Sequence, residues 1–403
     1  MNSAVSRRHF LRTVATAAPL PFLLASGTGA ETRPATTYRE KPLQPGFAFR
    51  LIPVAEADEK KVRKSEASLV ELRDGTVLLA YASHAGRSDN DRAPLVARRL
   101  SAEGLPLTDE RVIVPPPEGG FNAMSPALQR LPDGRIGMLF SYRQSQKEAS
   151  RRFVVSSDEG ETWSNPVIVA DGQYKTGCHD RFTVHSSGRL LAPCHCTEDW
   201  DKHHLHVRVG RSDDLGATWQ LGEPIELPYV RWFKPGGDGF VQDTESGCIE
   251  PGIAERADGS LIMAIRTAMG TQFKSESFDR GATWSTPTSM EVVSPVAPAH
   301  ISRIPGTSDL LLLWTSDYDA KARLSGERHT IMTCISSDGG RSWPHERRKV
   351  LAHDPSQSLD YPSLLYKGTE AWITLRRSTG KGVLAGFTST SLMRVPLAWF
   401  RTT

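Results

Sequence analysis

The chain of 403 residues lacks any long run of one charge: 49 Lys and Arg stand against 46 Asp and Glu, for a net charge of +3. That balance leaves no basic stripe of the kind that grips a phosphate backbone, so nucleic acid is not an expected partner. Past the N-terminus there is no apolar run of the length a bilayer demands, so no membrane span is expected in the mature protein. Cysteine is sparse. The five residues Cys178, Cys194, Cys196, Cys248 and Cys334 are an odd number, which leaves at least one thiol unpaired within the chain. No pattern calls for a cofactor. What the chain does have is punctuation, with 33 Gly, 27 Pro and 9 Trp, the composition of many turns with aromatic anchors.

The first 30 residues read as an address. Ser6-Arg7-Arg8-His9-Phe10-Leu11-Arg12 precedes an apolar stretch from Val14 to Ala25, and the small residues Thr28-Gly29-Ala30 follow it. This resembles a bacterial twin-arginine export signal, which implies a mature chain starting near Glu31 in the periplasm or outside the cell; a retained N-terminal anchor is the alternative. The stretch is short for a span and is broken by Pro19 and Pro21. A linker over 31–44 would lead into one continuous array over 45–403.

Two repeats interleave along that array. The first is Ser-x-Asp-x-Gly-x-Thr-Trp, the Asp box: Ser156 to Trp163, Ser212 to Trp219, Ser277 to Trp284, and Ser336 to Trp343 with Ser342 in place of Thr. A worn copy spans Leu100 to Gly104. Asp can cap backbone N–H groups, Gly takes a conformation that a Cβ resists, and Trp buries its ring beneath the loop, so these residues read as structural. Box-to-box spacings of 56, 65 and 59 residues suit repeated β-sheet blades.

The second repeat is an apolar strand, a Gly-containing turn and another apolar strand. It recurs at Glu66 to Gly75, Ser125 to Gly134, His179 to Gly188, Glu250 to Gly259, Ala299 to Asp309 and Tyr361 to Thr369. The six copies predict an all-β fold, a six-bladed β-propeller with Asp-box repeats, closed by pairing of the segment near Phe47 to Ile52 with the last blade. Glu66, Ser125, His179, Glu250, Ala299 or His300, and Tyr361 then form a polar ring at one mouth of the central channel. Within the fourth copy, Glu250 and Arg266 stand eight residues either side of Asp258, so the hairpin brings a carboxylate and a guanidinium together.

Asp boxes with Glu250, Arg266, Arg328 and Tyr361 in this order resemble the sialidase (neuraminidase) family of six-bladed propellers. The resemblance implies an exo-acting retaining glycosidase that removes a terminal sialic acid or related acidic sugar. In it Tyr361 attacks the anomeric carbon, Glu250 is its base, and Arg266 and Arg328 meet the sugar carboxylate. A neutral phenol suits a reacting carbon that already bears a carboxylate, because an anionic Asp or Glu would be repelled there. With an unperturbed pKa of about 10, that phenol needs a base. The expected partners are sialylated or other acidic glycans. A propeller that binds such glycans without hydrolysing them is the alternative.

The chain also departs from the family's pattern. Ser65 stands where the first blade should supply an arginine, and Arg376 and Arg377 stand near the place of its supporting glutamate. A charge swap, with Glu66 holding Arg376 or Arg377 over the channel, would restore a third cation. The general acid falls to Asp89 or Asp91 in the loop after the first hairpin. His179 and Asp180 join the expected substrate-binding residues. Cys178-His179-Asp180, Cys194-His195-Cys196 and His203-His204-Leu205-His206 gather metal-ligand types, with metal binding, a local disulfide, and packing or sugar contacts as the alternatives; no metal is expected. Trp200 and Trp232 are candidate sugar contacts or core anchors.

Overall fold

The computed structural model describes residues 45–202, 205–227, 247–319, 321, 326–379 and 386–402. The expected export signal at 1–30, the linker at 31–44, and His203, His204 and Trp232 lie outside them. The described chain is mostly β-strand joined by turns, and no described helix is long and apolar enough to cross a membrane.

A leading pair, Gly46–Phe47 (β1) and Leu51–Ala55 (β2), precedes a series of antiparallel modules. The first contains Arg63–Glu71 (β3), Val77–His84 (β4), Leu95–Leu100 (β5) and Arg111–Val114 (β6). Next come Asn122–Arg130 (β7), Ile136–Arg143 (β8), Ala149–Ser156 (β9) and Val167–Ala170 (β10). Lys175–Thr176 (β11), Thr183–Val184 (β12), Leu190–Cys196 (β13), His206–Ser212 (β14) and Gln220–Leu221 (β15) follow. Then come Ile249–Glu255 (β16), Leu261–Arg266 (β17), Thr271–Ser277 (β18) and Thr288–Val293 (β19). After them run His300–Arg303 (β20), Leu310–Thr315 (β21), Thr330–Ser336 (β22) and Lys349–His353 (β23), and the last module has Gln357–Lys367 (β24), Glu370–Thr379 (β25) and Thr388–Pro396 (β26).

Hydrogen bonding groups these strands into five sheets, because the last and first modules share one eight-stranded sheet through a single parallel pairing of Thr388 with Arg63. The result is an all-β propeller. Strand β3 packs against β7 on one side and β24 on the other, and β16 packs against β20, so the first strand of each module lines the centre. The pairing expected of the leading segment is divided. Strand β2 joins β26, whereas β1 joins β23 of the preceding sheet. The backbone leaves the ladder between the two strands, and Phe47, Phe49 and Leu51 seat on the apolar cluster between those sheets.

Apolar side chains fill the seams between modules. Leu78 and Leu95 meet Leu128 and Phe140 at one seam, and Ala254 and Ile262 meet Leu310 and Leu312 at another. At the closing seam, Ile52, Trp372 and Leu392 meet Leu69 and Leu79. Central strands covered on both faces read as continuous apolar runs, as Leu310–Thr315 does.

The Asp boxes staple these seams. In the first, Asp158 accepts from Ser156 Oγ and Thr162 N at 2.8 Å, while Gly160 N donates to Ser156 Oγ at 2.8 Å. Asp214, Asp279 and Asp338 repeat the scheme. The box glycine is left-handed, with φ of 85° at Gly160 and 90° at Gly216. It also lies flush against the preceding module: a Cβ on Gly160 would sit 2.5 Å from Leu78, one on Gly216 2.0 Å from Phe153, and one on the worn copy's Gly104 2.6 Å from Leu392. The motif thus needs glycine for backbone freedom and for close approach.

Candidate active site

Six non-glycine residues adopt left-handed backbone near the start of a module: Glu66 (φ 61°), Ser125 (54°), Tyr174 (38°), Asp180 (53°), Glu250 (46°) and Tyr361 (51°). At Glu66, Ser125, Glu250 and Tyr361 the pairing register slips as well, marking a β-bulge in the first strand of the module. A bulge re-aims the side chain it carries, and left-handed backbone costs roughly 1–2 kcal/mol at a residue with a Cβ. The spacing of the sequence repeats puts His179 in this series. The residue with the shared conformation is instead Asp180, and neither Ala299 nor His300 has it.

Glu250, Arg266 and Tyr361 converge. The Tyr361 hydroxyl donates to Glu250 Oε1 at 2.8 Å, and Arg266 Nη1 lies 2.5 Å from Glu250 Oε2 and 3.2 Å from the Tyr361 oxygen. Burial works against the Glu250 anion, yet the Arg266 guanidinium and the hydrogen bonds to it hold the carboxyl below its usual range. Burial and the Glu250 charge push the Tyr361 phenol well above its ordinary value, against the nearby arginines. The resting pair is therefore a protonated phenol on an ionised carboxylate. Arg376 lies over the Tyr361 ring, its Cζ 4.2 Å from the centroid, and Arg328 is 5.8 Å away.

Arg328 and Arg376 are both held by an internal carboxylate. Arg376 Nε and Nη2 each donate to Asp360 at 2.6 Å, and Arg328 Nη1 donates to the same carboxylate at 2.7 Å. Arg328 Nη2 donates to the Val296 carbonyl at 2.5 Å. All three side chains are buried.

The charge swap expected of Glu66 is corrected in the same way. Glu66 Oε1 pairs with Arg63 Nη2 at 2.6 Å, and its Oε2 accepts from Ser125 Oγ at 2.6 Å. Arg377 turns outward, where its Nε meets Ser391 and its Nη2 lies 3.6 Å from Glu56. Side chains alternate along β25, so the neighbours Arg376 and Arg377 face opposite ways. Arg63 thus places a first-module guanidinium two residues from Ser65, where the arginine was expected. It also pairs with Asp89 at 2.5 Å, and that guanidinium keeps the half-exposed carboxyl far below the usual range. Glu66 is shifted the other way, because burial outweighs Arg63. Asp91 ties off the loop instead of facing the site. Its Oδ2 accepts from Ser88 N at 2.7 Å, and its carboxylate fills the space beneath Gly86.

His179 and Asp180 also depart from expectation. His179 stacks on Tyr361 at 5.4 Å between centroids, and its Nε2–H donates to the Tyr361 carbonyl at 3.1 Å. Its other nitrogen is left to accept from Cys178 Sγ at 3.4 Å, so the ring is neutral and buttresses the tyrosine. Asp180 accepts from Ser68 Oγ and Leu364 N, each at 2.8 Å, and faces a cavity of about 780 Å³ that is also lined by Glu71, Arg73 and Tyr366. That places it toward the turn end of the first strands, away from Tyr361. Beside it, Arg181 Nη1 donates to His300 Nδ1 at 3.0 Å, so His300 is neutral too and makes no ion pair with Asp180.

A cavity of about 60 Å³ opens in front of Tyr361 and Glu250, bordered by Glu66, Asp89, Tyr174 and His195. His195 accepts from Glu250 N at 3.4 Å and so presents an Nε2–H to Thr176 Oγ1 at 2.7 Å. Burial lowers its pKa to about 4. Asp89, Arg143 and Tyr174 also border a wider space of about 500 Å³, where Trp200 lies against Tyr174. All five cysteines are buried free thiols, so the local disulfide weighed for the cluster of Cys178, Cys194 and Cys196 is not formed. Among the described residues, no group of three or more His, Cys, Asp or Glu is arranged to hold a metal ion.

Arg63, Arg143, Tyr174 and Asp360 are site residues that sequence reasoning missed, whereas His195 belongs to the Cys and His cluster for which sugar contacts were one reading. Asp360 had one available signal, its place directly before Tyr361 and beside two arginines of the neighbouring strand. Arg63 is two residues from the aligned place, on the same strand face.

The family model described as "BNR repeat-like domain" matches residues 108–371. A search of curated proteins finds no match to the sequence. Among solved structures, a protein of unknown function from Dyadobacter fermentans superposes with a TM-score of 0.66 at 16% identity, covering 86% of this chain and 99% of that one. The Hadza microbial sialidase Hz136 gives 0.66 at 18% identity, with coverages of 87% and 69%. Trypanosoma rangeli sialidase, captured as a covalent intermediate with 2,3-difluorosialic acid, gives 0.59 at 16% identity, with coverages of 89% and 59%. At these identities the likeness is one of fold.

Proposed function

Since the chain belongs to the BNR repeat-like domain family, and its fold is shared with sialidases, we propose that it is an exported, retaining exo-glycosidase of sialidase type. The observation that carries this reading is the contact of the Tyr361 hydroxyl with Glu250 at 2.8 Å, with Arg266 on the other carboxylate oxygen. Glu250 takes the phenolic proton as the tyrosine oxygen bonds to the anomeric carbon and the bond to the leaving oxygen breaks. Water then cleaves the glycosyl–tyrosine bond and the proton returns from Glu250, so two inversions give net retention. Asp89, at the rim of the same cavity, is the group assigned to proton exchange with the leaving oxygen and with water. Because Arg63 keeps Asp89 ionised at rest, leaving groups that need no proton, such as nitrophenolate, should depart most readily.

The sialidase neighbours direct the substrate search first to terminal sialic acids and related acidic sugars. Export by the twin-arginine route to the periplasm or beyond belongs to the same proposal. So does a count of six blades, with the eight-stranded sheet taken as two that meet at Thr388 and Arg63.

A second reading, a propeller that binds glycans without cleaving them, is favoured by the internal pairing of Arg328 and Arg376 with Asp360. One experiment separates the two. The purified mature protein is incubated with fluorogenic sialosides and other aryl glycosides, alongside Tyr361→Phe and Glu250→Gln. Turnover that falls at least about 1000-fold in both variants, with a glycosylated Tyr361 peptide trapped by a 2-fluoro sugar, supports the enzyme. Glycan binding that persists without turnover supports the second reading.

A further inference from the structure

Of the five guanidinium groups round Tyr361 and its cavity, four have a carboxylate of the protein as partner: Arg63 with Glu66 and Asp89, Arg266 with Glu250, and Arg328 and Arg376 with Asp360. The Asp360 arrangement is the most complete. Its side chain is 1% exposed, both its oxygens are bound, and both arginines that approach the Tyr361 ring are bound to it. A planar guanidinium recognises a carboxylate through paired N–H donors, and here the Nε–Nη2 edge of Arg376 and the Nη1 of Arg328 are already used by an internal anion.

A substrate carboxylate arriving beside Tyr361 would meet Asp360 and Glu250 as like charges. To take the donors that Asp360 holds it would have to displace a buried ion pair, which leaves the displaced aspartate uncompensated. Arg143 offers no simple alternative. It lines the cavity, but its donors go to the Asp89 carbonyl and to Asn90 Oδ1, on the side that opens to the wider space. The rest of the lining, Ser125, Thr176, Tyr174 and His195 with the carboxylates of Glu66 and Glu250, is a set of hydroxyl donors and acceptors rather than an anion cradle.

We infer that Asp360 fills from within the role that a substrate carboxylate would otherwise take, and that the sugar reacting at Tyr361 is neutral at its anomeric carbon. The inference rests on the reading of Tyr361 and Glu250 as the reacting pair, and it revises the acidic-sugar class. It also keeps the reason for a phenol nucleophile, since a fixed carboxylate still neighbours the reacting centre.

The test has a turnover arm and a binding arm. In the first, wild type is given 4-nitrophenyl glycosides of neutral hexoses, 6-deoxyhexoses and pentoses in both anomers, beside 4-methylumbelliferyl α-N-acetylneuraminide. Turnover of a neutral glycoside at least about 100-fold above the sialoside is expected, and sialoside turnover equal to or above the best neutral glycoside overturns the inference. If nothing in the panel is turned over, the glycosidase reading fails and the binding arm decides this one by itself. There, 2-deoxy-2,3-didehydro-N-acetylneuraminic acid is titrated calorimetrically into wild type, Asp360→Ala and Asp360→Asn. Wild type should show no binding up to millimolar ligand, and Asp360→Ala should gain at least about tenfold in affinity over it. Micromolar binding to wild type overturns the inference whether or not either variant folds.

Discussion

Arg266 lies 2.5 Å from one oxygen of Glu250, while Tyr361 donates to the other. Two opposed influences therefore fix the proton affinity of that carboxyl: burial raises it, the guanidinium lowers it, and the guanidinium side prevails. Glu250 must be ionised to accept the phenolic proton, so the acid limb of kcat/KM should fall below the ordinary glutamate value of about 4.3. In Arg266→Ala burial is opposed only by His195 and the Tyr361 hydrogen bond, and the limb should move up by more than about one pH unit. Arg266→Lys, which keeps a cation, should leave it near the wild-type position. A pH profile with any aryl glycoside the wild type turns over checks this, and a limb unmoved in Arg266→Ala would detach Glu250 from proton transfer.

Asp180 predicts a pH dependence of stability. Burial lifts its pKa to about 6, against partial relief from Arg181 and its hydrogen bonds. The folded value exceeds the unfolded one, so the stabilising contribution is complete below about pH 4 and is lost as pH rises through about 6, amounting to about 3 kcal/mol. Asp180→Asn has no proton to lose there. Urea titrations at intervals from pH 4 to 7 should show wild type losing stability relative to the variant across that range. A constant difference between the two proteins would mean that Asp180 does not change charge over it.

A box glycine and a hairpin-turn glycine, both left-handed, predict a graded cost. At Gly216 an added Cβ meets left-handed backbone and also Phe153 at 2.0 Å, whereas Gly188 has φ 89° with nothing within 4 Å. Gly188→Ala should therefore cost about 1 kcal/mol, the backbone term alone. Gly216→Ala should cost at least about 2 kcal/mol more, because the seam must open. Chemical denaturation of the two variants compares them, and equal losses would remove the seam from the explanation of the motif.

What the sequence made legible follows the range of the physics. Asp boxes and Gly-containing turns are local: Asp158 caps Thr162 four residues away, and that bond leaves its mark in the spacing. The Glu250–Arg266 contact was legible because one hairpin joins the two residues. Arg63 and Asp360 were not, since their roles depend on which partners distant strands supply and on a slip of register at the bulge. In the third module the left-handed residue stands eight residues before the turn glycine Gly188, not the nine that separate Glu66 from Gly75 and Glu250 from Gly259, which is how His179 came to occupy the place that belongs to Asp180.

The left-handed residue at each bulge stands outside the ladder, so neighbouring strands do not dictate its identity. Glu66, Ser125, Glu250 and Tyr361 have an acid, a hydroxyl, an acid and a phenol at equivalent stations. Each station works as a socket whose fitting can be exchanged while the wall around it stays intact. A scaffold with such sockets can acquire new chemistry one residue at a time, limited mainly by how readily a side chain tolerates the twisted backbone beneath it.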